Sequence, residues 1–385
     1  MIRPRLPWLL PILAMAGCAP FEPWFDYNSN DEKIQHIGRI DWKTPDGPTY
    51  AYPGVTHRFR CNCTGVDVAF KDLGGGGESN TNWVNIIVDG ETKAKVELKQ
   101  DAELLRGVRG LKKGEHTIEI VKRTGPHAGS VRFLGVSLQG VLVDPPGWRP
   151  KKLEVIGDSI TCGYGNEERI PPGPDYTGPN TGYHAKNEDV SQAYGTLLGR
   201  RFDAEVVTTC LLGAGIYRNV DGATEGKAFP YVYERIYPNR EDSEAPRFDT
   251  TLFSPDLIVI NLGNNDFNVL DESGTPSAPP KEAFQTAYEN FVRKLRELYP
   301  AAKIVCTIGP TMNDTYPEGR NHWTLAREYI SEMVKSLGDP NVLYFAYDTA
   351  SIPSDTYGED WHPTAEGHAA MADQLSTFIE QHGGL

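Results

Sequence analysis

A serine, a histidine and an asparagine in this sequence stand in surroundings that favour acyl-transfer chemistry. Ser159 follows Gly157-Asp158 just after an apolar run, His362 precedes a proline near the carboxyl end, and Asn265 follows a glycine and a second asparagine. A serine hydroxyl is a poor nucleophile until a base takes its proton, and an imidazole can be that base. An asparagine amide can donate to the oxyanion that forms when an ester carbonyl is attacked. Taken singly, such residues more often cap a helix or close a turn.

Two further parts of such a site have several candidates. The N–H group of Gly213 could join the N–H group of the serine as an oxyanion donor, with Gly215 as the alternative two residues later. An imidazole base also needs an acceptor on its other ring nitrogen, which keeps the correct tautomer. Asp360, two residues before the histidine, Glu359, three residues before it, and a main-chain carbonyl group are the candidates.

The elements that must position these residues follow from the pattern of residues 151–385. Apolar, β-rich runs alternate there with stretches of helical spacing. The predicted strands are 153–156, 205–208, 257–262, 303–308 and 342–345, and the predicted helices are 190–202, 281–298, 325–337 and 365–381. This alternation predicts a parallel five-stranded sheet with helices on both faces. In such sheets ligands bind beyond the carboxyl ends of the strands, where all the candidate residues fall.

Residues 36–144 have a different pattern, with short alternating strands separated by turns such as Asp89-Gly90. Such a pattern predicts an antiparallel β-sandwich of jelly-roll type. A proline-rich stretch at 144–150 marks the boundary between the two domains. We therefore expect a signal peptide at 1–18, a tether at 19–35, the sandwich at 36–144 and an α/β domain at 151–385.

The first residues predict export from the cytoplasm. Two arginines precede a short apolar run, and small residues follow up to Cys18. The run is too short to span a bilayer and is typical of a cleaved signal. The residues before Cys18 resemble a lipobox, so we expect an acylated, lipid-anchored protein of the cell envelope, in the outer membrane or periplasm. An ordinary signal peptide cut after Ala16 or Ala19 is the alternative.

Composition excludes other classes of protein. The formal net charge of −14 argues against a nucleic-acid partner, because binding phosphates needs a basic face. Beyond Cys18 the five cysteines are an odd number, so one disulfide is possible but the sequence does not choose the pair. We expect most of these thiols to be buried as small apolar groups. Their spacing also makes structural zinc unexpected.

Together, these blocks resemble the SGNH (GDSL-type) hydrolases, which have a flavodoxin-like α/β/α domain. More closely, the chain resembles carbohydrate esterase family 2, whose bacterial acetyl esterases carry a β-sandwich before the SGNH domain. The resemblance runs from about residue 36 onward. Its supporting stretches are Val121-Lys122-Arg123-Thr124, 156–165, 253–256 and 360–363. It implies Ser159 as nucleophile, His362 as base, Gly213 and Asn265 with the Ser159 amide as oxyanion donors, and Trp361 as an aromatic wall against a sugar. For the group that orients the histidine, the wider SGNH pattern points to Glu359 and the family 2 pattern to Asp360, and we favour Asp360.

The activity that the resemblance implies is removal of O-acetyl groups from xylan, mannan or their oligosaccharides through an acyl-serine. It implies no metal and no organic cofactor. Two alternatives remain open at this point. One is a lipid or thioester hydrolase, which needs a long apolar channel for the acyl chain. The other is a non-catalytic surface protein that binds carbohydrate.

Overall fold

The structure is a computed structural model that describes residues 23–171, 178, 180–241, 245–353 and 355–385. It contains a nine-stranded antiparallel sheet followed by a five-stranded parallel sheet. This confirms the predicted order of an antiparallel domain and an α/β domain. Cys18 and the predicted signal peptide lie outside the described residues. Among the described residues, no helix is both long enough and apolar enough to cross a bilayer.

The antiparallel sheet is built around one very long strand. Its strands are β1 (Trp24–Asn28), β2 (Gln35–Ile37), β3 (Thr49–Tyr50), β4 (Thr56–Asp72), β5 (Trp83–Val88), β6 (Glu91–Glu97), β7 (Glu103–Arg109), β8 (Glu115–Lys122) and β9 (Val131–Leu142), with a short helix α1 (Gly77–Asn80) after β4. The first half of β4 pairs with β8, and its second half pairs with β9 on one side and β7 on the other. The strands thereby enclose one apolar core, which includes Phe59, Val68 and Phe133.

Part of the predicted tether belongs to this sheet. Strand β1 pairs with β9, from Trp24 opposite Gln139 to Asn28 opposite Gly135. The tether prediction for residues 19–35 is therefore wrong for β1. Its side chains are exposed or half-buried, so β1 lacks the apolar alternation by which a strand is recognised from sequence.

The cysteines also differ from the expectation. Cys61 bonds to Cys63, and Cys162 bonds to Cys210, while Cys306 is a buried free thiol. Residues two apart on a strand share one face, which brings the first pair together. The second pair joins two segments that are 48 residues apart and meet only when the parallel sheet forms. This bond ties the residues after the first strand of that sheet to the end of its neighbour.

The parallel sheet has the strand order β11-β10-β12-β13-β14. Its strands are β10 (Lys151–Gly157), β11 (Ala204–Cys210), β12 (Leu257–Asn261), β13 (Lys303–Thr307) and β14 (Val342–Tyr344). Its helices are α2 (Ser159–Cys162), α3 (Tyr194–Phe202), α4 (Phe229–Val232), α5 (Lys281–Leu298), α6 (His322–Leu337) and α7 (Ala365–Gln381). The chain leaves β10 toward β11 on one side and later returns to β12 on the other. A crevice opens at the carboxyl ends of the strands where the order reverses in this way.

Strand β12 shows why the apolar runs of this domain are continuous. Ile258 and Ile260 point into the core under α5 and α6, whereas Leu257 and Val259 point into the core under α3 and α7. Because successive side chains of a strand alternate between faces, a strand covered on both faces must be apolar throughout. The helices therefore hold the sheet rigidly from both sides.

Buried ion pairs join the two domains. Arg39 pairs with Glu154 of β10 at 2.8 Å, with both side chains 1% exposed. The Glu154 carboxylate also accepts the hydroxyl groups of Thr209 and Tyr233. Arg58 of β4 forms two hydrogen bonds to Glu205 of β11. Charges that are withdrawn from water in this way need their partners.

We predict that Glu154→Gln lowers the free energy of unfolding by about 3–5 kcal/mol, because Arg39 would stay buried without its anion. Urea denaturation measures the change. The control is Glu289→Gln, which breaks the exposed pair with Arg293 on α5 and should cost less than about 1 kcal/mol. Equal effects of the two variants would contradict the prediction.

Candidate active site

Ser159 is presented by a tight strand-to-helix turn. Strand β10 ends at Gly157, α2 begins at Ser159, and Asp158 between them caps the helix by accepting the N–H of Ile160 at 3.0 Å. A Cβ on Gly157 would lie 2.0 Å from Thr161 Oγ1, so only glycine fits this close approach. Because the aspartate side chain satisfies the cap, the serine hydroxyl is left for another partner.

That partner is His362. Its Nε2 lies 2.7 Å from Ser159 Oγ, and its Nδ1 lies 3.0 Å from the carbonyl oxygen of Glu359 and 3.1 Å from that of Asp360. Carbonyl oxygens can only accept, so Nδ1 carries the proton in the neutral ring, and Nε2 faces the hydroxyl as an acceptor. This arrangement is able to take the proton of the serine.

The Asp360 carboxylate has other partners than His362, which contradicts our prediction that it orients the ring. It accepts the hydroxyl of Tyr164 and, at 3.0 Å, the N–H of Gly182. The backbone explains the difference, because Asp360 and Trp361 have φ angles of 47° and 66°. This left-handed turn brings carbonyl groups to the imidazole. It costs on the order of 1–3 kcal/mol for each non-glycine residue, so its surroundings must hold it in place.

The Glu359 carboxylate, the second acidic candidate, supplies part of that support. It is buried and accepts the N–H of His184 at 3.0 Å, His184 Nδ1 at 2.7 Å and the Asn187 amide at 2.7 Å. These bonds tie the loop that carries His362 to the segment at 184–187. Of the three candidates for orienting the histidine, the geometry thus favours the main-chain carbonyl groups.

Two backbone donors are available beside the serine. Within the part of the chain that the structure describes, the N–H groups of Ser159 and Gly213 donate to no other protein group. Gly213 has a φ of 73°, which glycine adopts without strain. The N–H of Gly215 instead donates to Asn219 Oδ1 at 3.1 Å. Of the two glycine candidates, Gly213 is therefore the one with a free donor.

The side chain of Asn265 offers a third donor. Its Nδ2 donates to the Ala214 carbonyl at 2.9 Å and lies 3.5 Å from Asp158 Oδ2. The longer contact exceeds the usual N–H···O range, so one amide hydrogen lacks a strong partner. The amide of Asn264 donates to Thr311 at 3.0 Å. Of the two neighbouring asparagines, Asn265 is therefore the one whose amide has a hydrogen available as a donor.

Two buried carboxyl groups lie behind these donors. Burial raises the pKa of Asp158 to about 7 and that of Asp266 to about 6. Asp266 also accepts the N–H groups of Ile216, Tyr217 and Arg218, each at 2.8 Å. The raised pKa values keep these groups closer to neutral, which lessens their repulsion of an oxyanion at the site. The three bonds hold the loop that follows the glycines.

Aromatic rings that the sequence reasoning did not single out surround the histidine. Tyr164 stacks on His362 with ring centroids 4.1 Å apart and an angle of 18° between the planes. Tyr183 packs against Tyr164 at 5.1 Å. Burial lowers the pKa of His362 below its usual value of 6.5. Tyr164 follows the serine turn closely in the sequence, and this position between two glycines was the available signal.

Trp361 lies next to the histidine at the rim of the site. Its ring is half-buried, its Nε1 donates to Asn180 Oδ1 at 3.2 Å, and its centroid lies 5.0 Å from that of Tyr357. A partly exposed ring of this kind can pack against the apolar face of a sugar.

Within the described ranges, no three side chains of His, Cys, Asp or Glu lie close enough together to hold a metal ion. The absence of a metal and of an organic cofactor remains a prediction from the sequence.

Known proteins resemble both domains of this chain. Residues 36–146 match the family described as carbohydrate esterase 2 N-terminal, and residues 155–370 match the GDSL-like lipase/acylhydrolase family. The chain is 33% identical to the cellulase/esterase CelE of Acetivibrio thermocellus over 91% of its own length, but it spans only 40% of that relative. It is 29% identical to an acetylxylan esterase/glucomannan deacetylase of Cellvibrio japonicus, with 92% of this chain and 90% of the relative covered.

Solved structures give the same relationship. A family two carbohydrate esterase from Clostridium thermocellum, in complex with cellohexaose, superimposes with a TM-score of 0.76 at 31% identity, covering 90% of this chain and 98% of that one. A family two carbohydrate esterase from Cellvibrio japonicus superimposes with a TM-score of 0.77 at 26% identity, covering 94% and 98%. The sequence resemblance is thereby confirmed, and the chain belongs to the family 2 carbohydrate esterases, with a carboxyl-terminal domain of the GDSL-like (SGNH) acylhydrolase type.

Proposed function

We propose that this protein removes O-acetyl groups from carbohydrates, with Ser159 as nucleophile and His362 as general base. The observation that carries the proposal is the 2.7 Å contact between Ser159 Oγ and a His362 ring whose Nδ1 is held by two carbonyl groups. A hydroxyl aligned in this way on a neutral imidazole is the arrangement that acyl transfer to serine needs.

The reaction would proceed in two steps. In the first, Oγ of Ser159 bonds to the acetyl carbonyl carbon while its proton passes to Nε2 of His362. The oxyanion receives hydrogen bonds from the N–H groups of Ser159 and Gly213 and from the Asn265 amide, and then collapses. The sugar oxygen leaves with the proton from His362. In the second step, water gives a proton to His362 as its oxygen bonds to the acetyl carbon of the acetyl-serine. The bond between that carbon and Oγ then breaks, Oγ takes the proton back from His362, and acetic acid leaves and ionises to acetate.

The carbonyl groups that hold Nδ1 suit this cycle. When Nε2 takes the serine proton, the imidazolium keeps its Nδ1–H bonds to the Glu359 and Asp360 carbonyls, and the Asp360 carboxylate is close enough to favour the positive charge. A positive ring next to a developing oxyanion is also stabilised by that charge. Asp360 would thus act through its main chain and its charge.

The substrate class rests on the rim of the site and on the relatives. Trp361 and Tyr357 are aromatic residues near the histidine, and sugars pack on such rings. One relative is named acetylxylan esterase/glucomannan deacetylase, and another was solved with cellohexaose. We infer acetylated xylan, mannan or their oligosaccharides as substrates.

The lipobox-like residues before Cys18 support export and a lipid anchor in the cell envelope.

We predict that the protein releases acetate from 4-nitrophenyl acetate and from acetylated xylo-oligosaccharides, and that Ser159→Ala lowers kcat by at least about 10³-fold. Esters of longer acyl chains serve as the comparison. A preference for long chains would indicate a lipid hydrolase. Binding of oligosaccharides without any turnover would indicate a non-catalytic protein.

We predict that Asp360→Asn keeps kcat/KM within about tenfold of the original protein. Where an aspartate carboxylate orients the base, the same change costs about 10⁴-fold, but here the main chain has that role. Asparagine tolerates the left-handed conformation, so the turn should survive. A loss that approaches that of Ser159→Ala would show that the carboxylate itself is required.

The pH dependence follows from the lowered pKa of His362. The base must be neutral, so kcat/KM should fall as the pH drops through the pKa of His362, and the midpoint of this acid limb should lie below 6.5. Initial rates with 4-nitrophenyl acetate between pH 4 and 8 (a span of roughly two units on either side of about 6) measure it. A midpoint above 6.5 would show that burial does not lower the pKa of His362.

A further inference from the structure

We propose that the amino-terminal domain positions the base of the active site through Glu188, a carboxylate buried between the two domains. Glu188 holds the hydroxyl of Tyr183, Tyr183 packs on Tyr164, and Tyr164 stacks on His362. Glu188 and Tyr183 are positioning residues, since neither touches the serine or the imidazole. The inference rests on the proposed function and gives a role to the stretch Lys122-Arg123-Thr124, which the catalytic mechanism does not use.

The first link is a backbone contact across the domain interface. Oε2 of Glu188 accepts the N–H of Gly125, in the turn after β8, at 2.9 Å, and it also accepts the Tyr183 hydroxyl. A Cβ on Gly125 would lie 3.0 Å from Glu188 Oε1, 3.2 Å from Cys162 Sγ and 3.4 Å from Leu212. Gly125 is therefore packed between Glu188 and the two segments that follow β10 and β11. These segments also carry Ser159 and Gly213.

The second link is electrostatic. Glu188 is fully buried, and within the described residues its Oε1 has no hydrogen-bond partner. Lys122, also fully buried, donates to the carbonyl groups of Thr124 and Gly125. Burial raises the pKa of Glu188 and lowers that of Lys122, and the attraction of Lys122 and Arg123 for the carboxylate opposes the first shift. A buried carboxylate short of one hydrogen bond keeps its place through such cations.

Arg123 connects the two domains at a second point close to Tyr164. It donates to Asn85 Oδ1 at 2.9 Å and pairs with Asp189 at 3.2 Å. The backbone of Asp189 in turn exchanges hydrogen bonds with the Asn166 side chain and donates to the carbonyl of Gly163. The amino-terminal domain thus holds residues on both sides of Tyr164 in the sequence.

The last link is the stack on the imidazole. The ring of Tyr164 lies 4.1 Å from that of His362 and 5.1 Å from that of Tyr183, and the hydroxyl of Tyr164 is bound by Asp360. A ring stacked on the imidazole keeps water away from it, and loss of water disfavours the protonated form. If Tyr183 loses its anchor, Tyr164 loses the surface that it packs against, and the imidazole becomes more exposed to water.

The experiment measures the acid limb of kcat/KM for 4-nitrophenyl acetate, a substrate too small to depend on contacts at the rim. Two variants break the series of contacts from Glu188 to His362 in different ways. Tyr183→Phe removes one hydroxyl, and the double variant Lys122→Met with Glu188→Leu replaces the buried charges by apolar groups of similar size. We expect both to move the midpoint of the acid limb upward, toward 6.5, and to lower kcat by roughly tenfold with little change in KM.

A matched control separates positioning from general loss of stability. Arg58→Met with Glu205→Leu removes another buried ion pair between the domains, but Glu205 is near the start of β11, at the opposite end of the sheet from the site. We expect this variant to lower the melting temperature and leave the acid limb unchanged.

The inference is overturned if Tyr183→Phe leaves the acid limb in place, or if the control shifts it equally. Because Tyr183→Phe removes a single atom, it keeps the test decisive even where the double variant does not fold. Failure of the proposed function itself would look different, since the unmodified protein would then show no acetate release that depends on Ser159.

Discussion

The bond between Ser159 Oγ and His362 Nε2 is the interaction on which the rest of the site depends, and it requires that the proton of the neutral ring stay on Nδ1. In this chain two main-chain carbonyl groups provide that constraint. They reach the ring only because Asp360 and Trp361 adopt left-handed backbone angles. The surrounding hydrogen bonds of Asp360 with Tyr164, of Glu359 with His184, and of Trp361 with Asn180 hold this turn. The acidic side chains of the loop therefore support the backbone that performs the orienting task.

Buried ion pairs join the two domains. Arg39 with Glu154, Arg58 with Glu205 and Arg123 with Asp189 are all buried pairs across the interface. Buried ion pairs add little net stability, but they are costly to break, which favours a single arrangement of their partners. An interface of this kind fixes the relative position of the two sheets. The turn at Gly125, which donates to Glu188, therefore lies at a defined distance from the serine.

Much of the carboxyl-terminal fold could be predicted because its strands and helices have strong local periodicity. Helices α5 and α7 have the predicted bounds, and the ends of each predicted strand of the parallel sheet lie within two residues of the observed ends. Edge strand β1 was missed because its exposed side chains carry no alternation. The pairing of Cys162 with Cys210 was open because nothing in the spacing of cysteines records which strands become neighbours. Tyr164 was overlooked because a tyrosine between two glycines has no chemistry of its own until it faces an imidazole.

The sequence by itself determined the order of the two domains, the family, and the serine, histidine, glycine and asparagine at the ends of the strands, because strand periodicity and turn residues are local properties. Tertiary structure decided which group orients the histidine, which glycine has a free N–H, and which residues brace the site. Those outcomes depend on backbone angles and on contacts between distant segments, such as Asp360 with Tyr164 or Glu188 with Gly125. Such contacts exist only once both sheets have formed and excluded water from the interface between them.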